Sequence, residues 1–502
     1  MHTDKLKERT QMRNTVEGKN IVIIGSGIGG LSAGILLSLL NFNVTVVEKN
    51  PLPGGLMRSY RRSGFDCPVG IHYVGALGKD EPLGIMFQAL GIPVNELFVP
   101  MGREGIVDRY IFDDLTFDLP TSLDALESSL KNTFLQDEAA LNIIIKNLRE
   151  ISRQMMAPSF LFNQSGPFQN MDYYLPMGEL LDSLGVSVGL RAVLAVPCNL
   201  IGVPLNDCPV IFHHMVLASY LFSSWRLKES GSRMTDVFVR RFQELGGKLI
   251  LNNGVKKISV TKGKVSGVIL ESDAALVADG VVAAIHPKIM LRLLDEDVVR
   301  DSHRRRIKGL KETEGVIAVQ VRVDAAKHSP MSHNIYRLQH DENGVILDGV
   351  FYQVQSTNSS SDNLLSIITK STYNEWLPWE NTVTGKRGRE YEKRKMNIAK
   401  DLLKKAEEIF GDLSDARILD VYTPLTIRDY VNAPEGACYG IMRSARQLLK
   451  AISLNNLPVP GLCLAGQNAL APGVMGCLFG SFNAARQIVG PDRFAREIKW
   501  GG

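Results

Sequence analysis

The residues whose type and spacing most clearly point to chemistry are small ones. Gly25, Gly27 and Gly30 in "GSGIGG" spell G-x-G-x-x-G, with a further glycine, Gly29, inside the pattern. Their use is steric: Gly25 permits a tight reversal, Gly27 admits a diphosphate against the backbone, and Gly30 lets a helix approach the preceding strand. The N–H groups of that helix's first turn are left without intrahelical partners and attract negative charge. Glu48 follows 23 residues after Gly25, where a carboxylate accepts hydrogen bonds from a ribose, and Lys49 stands on the same rim. The chemistry implied is the binding of a dinucleotide.

Groups able to move a proton come next. His72 and Tyr73 in "GIHYVG" follow the glycine motif closely, and a neutral His or Tyr can donate a proton to carbon or stabilise charge beside an alkene. Satisfaction of these side chains within a core is the competing expectation. His213 and His214 are adjacent, and neighbouring residues on a helix point in different directions, so no joint metal or acid–base role is expected of them.

These groups need elements to hold them. Ile21 to Ile24 is a β-branched run suited to a parallel strand buried on both faces, a helix is expected over about 28–40, and Val44 to Val47 forms the next strand with Glu48 at its carboxyl end. Strand, glycine turn, helix, strand and acid thus occur in the order that a dinucleotide site requires.

The whole chain has 502 residues, of which 45% are hydrophobic, enough for two or three structural units. Lys+Arg 57 against Asp+Glu 53 leaves a formal charge of +4 without a long basic block, so no nucleic-acid partner is expected. Arg304, Arg305 and Arg306 are read as a solvated surface run rather than a lipid contact. Six cysteines at 67, 198, 208, 438, 463 and 477 show neither a CxxC nor a regular metal spacing; no metal site or disulfide scaffold is expected, and a reducing cytoplasmic setting fits. The polar first residues read as a loose leader. "STNSSSDN", Ser356 to Asn363, reads as a solvent loop.

Beyond Glu48, "NPLPGGLMRSYRRSGFDCPVGIHYVG" places Gly54 and Gly55 where bare backbone passes close to a long cofactor. With "GSRMTDVFVRRFQELGGKLILNNGVKKISVTKGKVSGVIL", "ADGVVAAIHPK" and "GLCLAGQNALAPGVMGCLFGSFNAARQI", this pattern resembles the phytoene-desaturase-like family of FAD proteins, in particular its retinol-saturase and carotenoid-isomerase branch. The resemblance implies noncovalent FAD and a long apolar substrate held in a tunnel. It implies that Gly25, Gly27, Gly29 and Gly30 surround the pyrophosphate, and that Glu48 and Lys49 stand at the adenosine ribose. Gly54, Gly55, Leu56 and Val255 then flank the extended cofactor, while Gly466, Pro472, Gly473, Val474 and Met475 approach the flavin or its linker. Tyr439, in "DYVNAPEGACYGIMR" with Tyr430, resembles the region that crosses towards the flavin, and joins His72 and Tyr73 as a candidate for the chemistry. Arg443 and Arg446 lie too near that segment to be dismissed as surface charges. Two positions depart from the family: Leu56 stands where many relatives have Arg, and Pro68 replaces the acid of the "GFxFDxG" pattern.

The expected fold class is α/β, a Rossmann-like FAD-binding domain around a central parallel sheet with a discontinuous mixed α+β substrate domain. Residues 18–90, 229–305 and 440–502 would build the first, and 91–228 with 306–439 the second. The runs Ala192 to Asn206 and Pro209 to Trp225 lack acidic, Lys and Arg residues; they are read as core helices or as the wall of an apolar tunnel. Pro197 and Pro204 interrupt the first, and peripheral membrane contact is more plausible than spanning. The resemblance implies an FAD-dependent oxidoreductase that saturates or desaturates a carbon–carbon bond in a carotenoid, retinoid or similar chain. A reduced-FAD-dependent polyene isomerase, a flavin amine oxidase and a noncatalytic lipid-binding flavoprotein are the alternatives. Electron partner and oligomeric state have no signature.

Overall fold

A computed structural model describes residues 18–157, 160–161 and 170–500. The leader expected before the first strand lies outside them, except for its last residues. Five strands form one parallel sheet in the order Lys248–Ile250, Asn43–Val47, Asn20–Ile24, Gly280–Ala283 and Leu462–Leu464. Alternate residues of the third strand in that order leave the sheet in opposite directions. Ile21 and Ile23 enter a core with helices Ile28–Leu39, Gly231–Glu244 and Gly473–Val489, whereas Val22 and Ile24 enter one with the antiparallel strands Val255–Thr261 and Lys264–Leu270. Both faces are covered, so "IVII" has no polar phase. Each such side chain contributes roughly 1.5–3 kcal/mol when fully buried. The molecule is of the α/β class, with a Rossmann-like sheet accompanied by mixed sheets and many helices.

A second sheet of seven strands runs Arg417–Tyr422, Gly315–Asp324, Asp362–Ser371, Ile346–Ser356, Asn334–His340, Ile106–Ile111 and Thr116–Pro120. All its neighbours are antiparallel except Asn334–His340 with Ile106–Ile111. One face buries Val319, Val321 and Ile367 against helix Arg389–Phe410. Part of the other face, through Tyr110, Tyr336 and Phe351, meets helices Glu138–Met156, Val188–Asn199 and Val210–Phe222.

A polar row crosses this sheet. Gln320 is paired with Asp420 on one side and Ser366 on the other, Ser366 with Gln353, and Asn334 with Asp108. Ser366 donates to Gln320 Oε1 at 2.8 Å, Gln353 to Asn334 Oδ1 at 2.9 Å, and Asn334 to Asp108 Oδ1 at 2.8 Å. Buried polar groups need such partners. The row also grips the chain above it, because Gln320 donates to the Pro68 carbonyl and Gln353 to that of His72. Tyr422 adds a bond to the Val69 carbonyl at 2.6 Å. The segment "PVGIHY" is therefore strapped down by three side chains of the sheet.

Both acid-free runs contain helices, and both do two jobs. Val193, Leu194 and Ala218 fill the core, while Leu200, Phe212, Met215 and Tyr220 reach cavity walls. One premise of the histidine expectation is corrected, that the two side chains part: His213 Nδ1 lies 2.8 Å from His214 Nδ1, so the rings do meet, and His213 Nε2 bonds the Leu194 carbonyl. Side-chain torsions bring the adjacent imidazoles together despite their divergent Cα–Cβ directions, and both are fully buried in the bundle. Arg304 also departs from the solvated run, since its guanidinium binds carbonyls of Leu291 and Val299 and thereby ties down the loop before its helix. "STNSSSDN" turns between strands Ile346–Ser356 and Asp362–Ser371. Among the described residues, no helix is long and apolar enough to cross a membrane.

Candidate active site

The glycine turn opens onto a cavity of about 440 Å³ at the carboxyl ends of the parallel strands. Its wall includes Gly25, Gly27, Gly29, Glu48, Lys49, Gly54, Gly55, Leu56, Val255 and Gly466, residues separated by more than four hundred positions in the chain. Gly54 and Gly27 are bridged as parallel backbone, and the Gly54 N–H donates to the Ser26 carbonyl at 3.0 Å.

The glycines differ in what they serve. A Cβ on Gly27 would meet no protein atom within 4 Å, so its open side is ligand space. A Cβ on Gly29 would fall 2.5 Å from the Gly466 Cα, and one on Gly30 would fall 1.9 Å from the Gly25 carbonyl oxygen. Gly29 allows helix Ile28–Leu39 to sit against the returning chain, an approach fastened by Ser481 Oγ donating to the Gly29 carbonyl at 2.7 Å, and Gly30 lets the same helix close on its own turn. Gly27 caps that helix without a side-chain acceptor, which leaves first-turn N–H groups for an anion.

Glu48 is held rather than free. Its Oε2 accepts from Ser26 N at 3.0 Å and Ser26 Oγ at 2.7 Å, and its Oε1 accepts from Asn50 N and Asn50 Nδ2, both at 2.9 Å. A ribose hydroxyl would take the place of the Ser26 hydroxyl or the Asn50 amide, either of which rotates away at the cost of one modest hydrogen bond. Lys49 turns outward to the Asp429 carbonyl at 3.0 Å, and burial lowers its pKa against the pull of Glu48. The cradle thus fits a dinucleotide by open backbone at Gly27, uncapped N–H groups, and a carboxylate at the far strand end.

Leu56 stands between this cavity and a second one of about 210 Å³, lining both. The residue that departs from the family's Arg is therefore an apolar divider between the dinucleotide cradle and what lies beyond. His72, Tyr73 and Tyr439 all line the second cavity, with Leu200, Tyr336 and Phe351. Tyr73 and Tyr439 also line a third of about 150 Å³, whose other wall is Pro472, Gly473, Val474 and Met475. The structure thus brings two of the three proton-transfer candidates, Tyr73 and Tyr439, beside the start of helix Gly473–Val489, whose cap, Pro472, supplies no side-chain acceptor either; His72 lines only the second cavity.

Burial governs the electrostatics. It pushes the His72 pKa down to about 4, so its imidazole is neutral, and its Nδ1 is buried with no hydrogen-bond partner among the described residues. A neutral imidazole is a poor source of protons and a good orienting or packing group. Tyr73 donates to Asp108 Oδ2 at 2.9 Å, and its oxygen also lies 2.9 Å from the Tyr336 hydroxyl. Tyr73, Tyr336 and Tyr439 have pKa values raised by burial.

Several site residues escape motif reasoning. Asp108 carried one signal: in "IVDRYI" it shares its face with Tyr110, an acid on the inward phase of a strand. His286 reaches the cradle wall and lies 3.0 Å from buried Glu312, which also pairs with Lys288 at 2.7 Å. Arg443 is 1% exposed and binds the carbonyls of Leu470 and Asn468 at 2.9 and 2.8 Å, so it shapes the loop after Gly466. Arg446, by contrast, remains at the surface, 3.8 Å from Asp207. Tyr430 is half-exposed at the cradle rim, with the Arg58 guanidinium 5.6 Å over its ring.

Comparison with known proteins bears on this arrangement. The family description "NAD(P)-binding Rossmann-like domain" matches residues 23–90. An all-trans-retinol 13,14-reductase of Macaca fascicularis is 22% identical over 96% of this chain and 88% of its own. Prolycopene isomerase 1, chloroplastic, of an Oncidium hybrid cultivar is 24% identical over 92% of this chain and 83% of its own. An oxidoreductase from Methanosarcina mazei superposes with a TM-score of 0.65 at 16% identity, covering 92% of this chain and 98% of its own, and so shares the fold. The resemblance read from the glycine motifs is borne out along nearly the whole chain.

Proposed function

Because this chain resembles a retinol reductase and a prolycopene isomerase over nearly its whole length, as phytoene-desaturase-like oxidoreductases do, we propose that it holds FAD in the 440 Å³ cradle and adds or removes hydrogen across a carbon–carbon double bond of a retinoid, carotenoid or similar apolar chain. The observation that carries this reading is the shared wall at Leu56, which sets a dinucleotide cradle directly beside an aromatic chamber. Bound FAD supplies hydride acceptance or donation, chemistry that no side chain offers. The protein's residues do the remainder. Gly27 and the first turn after it receive the pyrophosphate, Glu48 receives the adenosine ribose, and Val255 lies beside the adenosine. Leu56, Tyr439 and the turn Pro472–Met475 border the flavin. His72, Tyr336 and Phe351 form an apolar, water-poor wall along which a polyene lies, and Tyr73 presents a hydroxyl to it.

The relationship to a prolycopene isomerase favours a second reading, cis/trans isomerisation with no net redox change. Both readings use the same cradle and chamber. The five-part division of the chain, with the parallel sheet as cofactor unit and the seven-stranded sheet as substrate unit, belongs to this proposal, as does peripheral contact with a lipid surface from which an apolar substrate would be taken.

Anaerobic incubation of FAD-loaded, reduced protein with all-trans-retinol, prolycopene, an unsaturated fatty acid and putrescine separates the readings. A product two hydrogens heavier, with one flavin reoxidised per product, is expected from a polyene. Unchanged mass with altered geometry establishes the isomerase. Putrescine is tested in parallel with oxidised flavin, where bleaching establishes an amine oxidase. Binding without any product leaves a noncatalytic lipid-binding flavoprotein.

A further inference from the structure

Asp108 is 0% exposed, yet its carboxyl faces only neutral donors, Asn334 Nδ2 at 2.8 Å and the Tyr73 hydroxyl at 2.9 Å. Among the described residues no cation lies within ion-pair distance of it: Arg226, on the neighbouring strand Ser224–Leu227, spends its guanidinium on the Met331 carbonyl and, at 3.5 Å, on Asn334 Oδ1. The other titratable groups around it are phenols, Tyr110 on its own strand, Tyr336 on the paired strand and Tyr220 on helix Val210–Phe222. A buried carboxylate without an ion pair is costly, so burial favours the protonated carboxyl while the bonds it accepts and the more distant Arg226 favour the charged one. Tyr73 is the link outward. Its ring lies between those of Tyr220, 4.7 Å away, and Phe351, 6.4 Å away, and it lines both small chambers.

We propose that Asp108 is the proton reservoir of the site, passing a proton to the Tyr73 oxygen as Tyr73 gives its own proton to substrate carbon. The proposal rests on the carbon–carbon chemistry inferred above and goes beyond it by naming the acid. In the saturating direction a bound, two-electron-reduced flavin would supply hydride to one alkene carbon. The Tyr73 hydroxyl first turns its hydrogen from Asp108 Oδ2 to the substrate and accepts from the proton-bearing Asp108 oxygen in its place; its O–H bond then breaks with its electron pair left on oxygen, and the proton joins the adjacent carbon. The Asp108 O–H bond then breaks to restore the Tyr73 phenol, and the carboxylate regains a proton from water. A two-electron donor, dithionite in the test, re-reduces the flavin. Asp108 acts through Tyr73 and is a positioning residue; Tyr73 is the catalytic one.

Burial raises the Asp108 pKa to about 7, while its bonds from Asn334 and Tyr73 pull it down. The protonated form is the active one in this direction, so product formation falls as pH rises through that value.

Two measurements test the relay. Infrared spectra of the flavin-free protein, compared between wild type and Asp108→Asn, are expected to show one protonated-carboxyl band at low pH that titrates near pH 7 and is missing from the variant. Dithionite-reduced, FAD-loaded protein is assayed with all-trans-retinol and prolycopene in D2O and H2O across the pH range. Asp108→Asn is expected to lose about 10²-fold in rate and to flatten the falling limb, Asp108→Glu to retain the limb, and Tyr73→Phe to lose a similar factor with FAD uptake unchanged. Wild-type rate and limb in either Asp108→Asn or Tyr73→Phe would overturn the relay, as would the absence of the infrared band. Should Asp108→Asn fail to fold, Tyr73→Phe and titration of the wild-type band decide. Wild-type protein that converts neither probe overturns instead the carbon–carbon reading on which the relay rests.

Discussion

Gly27 and Gly29 stand two positions apart in one turn and separate two meanings of a conserved-looking motif, ligand space and backbone packing. Gly27→Ala adds a methyl group that touches no protein atom, at an ordinary extended backbone conformation. It is expected to leave stability within about 1 kcal/mol, the range of helix-cap substitutions, while weakening FAD binding by at least tenfold. Gly29→Ala drives its Cβ into the Gly466 backbone and is expected to lower both the melting temperature and FAD affinity. Thermal melts with parallel flavin-fluorescence titrations check the pair; equal behaviour of the two variants would contradict the distinction. The spacing of these glycines was legible because sterics act locally. The engagement of Glu48 by Ser26 and Asn50 was not, because side-chain hydrogen bonding is decided by rotamers that spacing leaves open.

At the scale of elements, the strand–turn–helix unit was legible almost to the residue. The helix expected over about 28–40 spans Ile28–Leu39, and "TKGKVSG" makes the hairpin between Val255–Thr261 and Lys264–Leu270. The polar row of the seven-stranded sheet was not legible, since its pairings are non-local, the longest, Asn334 with Asp108, joining strands more than two hundred residues apart. His72 and Tyr73 draw the eye as reactive side chains, but what aims them is a carbonyl-gripping row beneath them. Gln353→Leu removes donors to both Asn334 Oδ1 and the His72 carbonyl. It is expected to cost about 1–3 kcal/mol by urea denaturation, the range for an orphaned buried polar group. Product formation should fall while FAD affinity stays unchanged, because the row never touches the cradle. Weakened FAD binding in that variant would contradict the separation of the two units' roles.

For the whole molecule, the decisive relation is between distant parts of the chain. The opening turn, the return near Val255 and Gly466 converge on the cradle, Leu56 divides it from a chamber lined by tyrosines, and Pro472–Met475 wall a third cavity that shares Tyr73 and Tyr439 with that chamber. The resemblance implied this convergence; composition did not, because apolar runs such as Pro209 to Trp225 serve core and cavity alike. The Leu56 departure from the family acquires a physical role under this proposal, for an apolar side chain lining both cavities would expose a flavin edge and a substrate chain to the same apolar wall.

The most direct measurement is a structure of the protein crystallised with FAD. The expected density has the diphosphate at Gly27, the adenosine ribose at Glu48, and the isoalloxazine ring between Leu56, Tyr439 and the Pro472–Met475 turn, one face open to His72 and Tyr73. A flavin lodged elsewhere, or folded protein whose cradle stays empty at saturating FAD, would contradict the account.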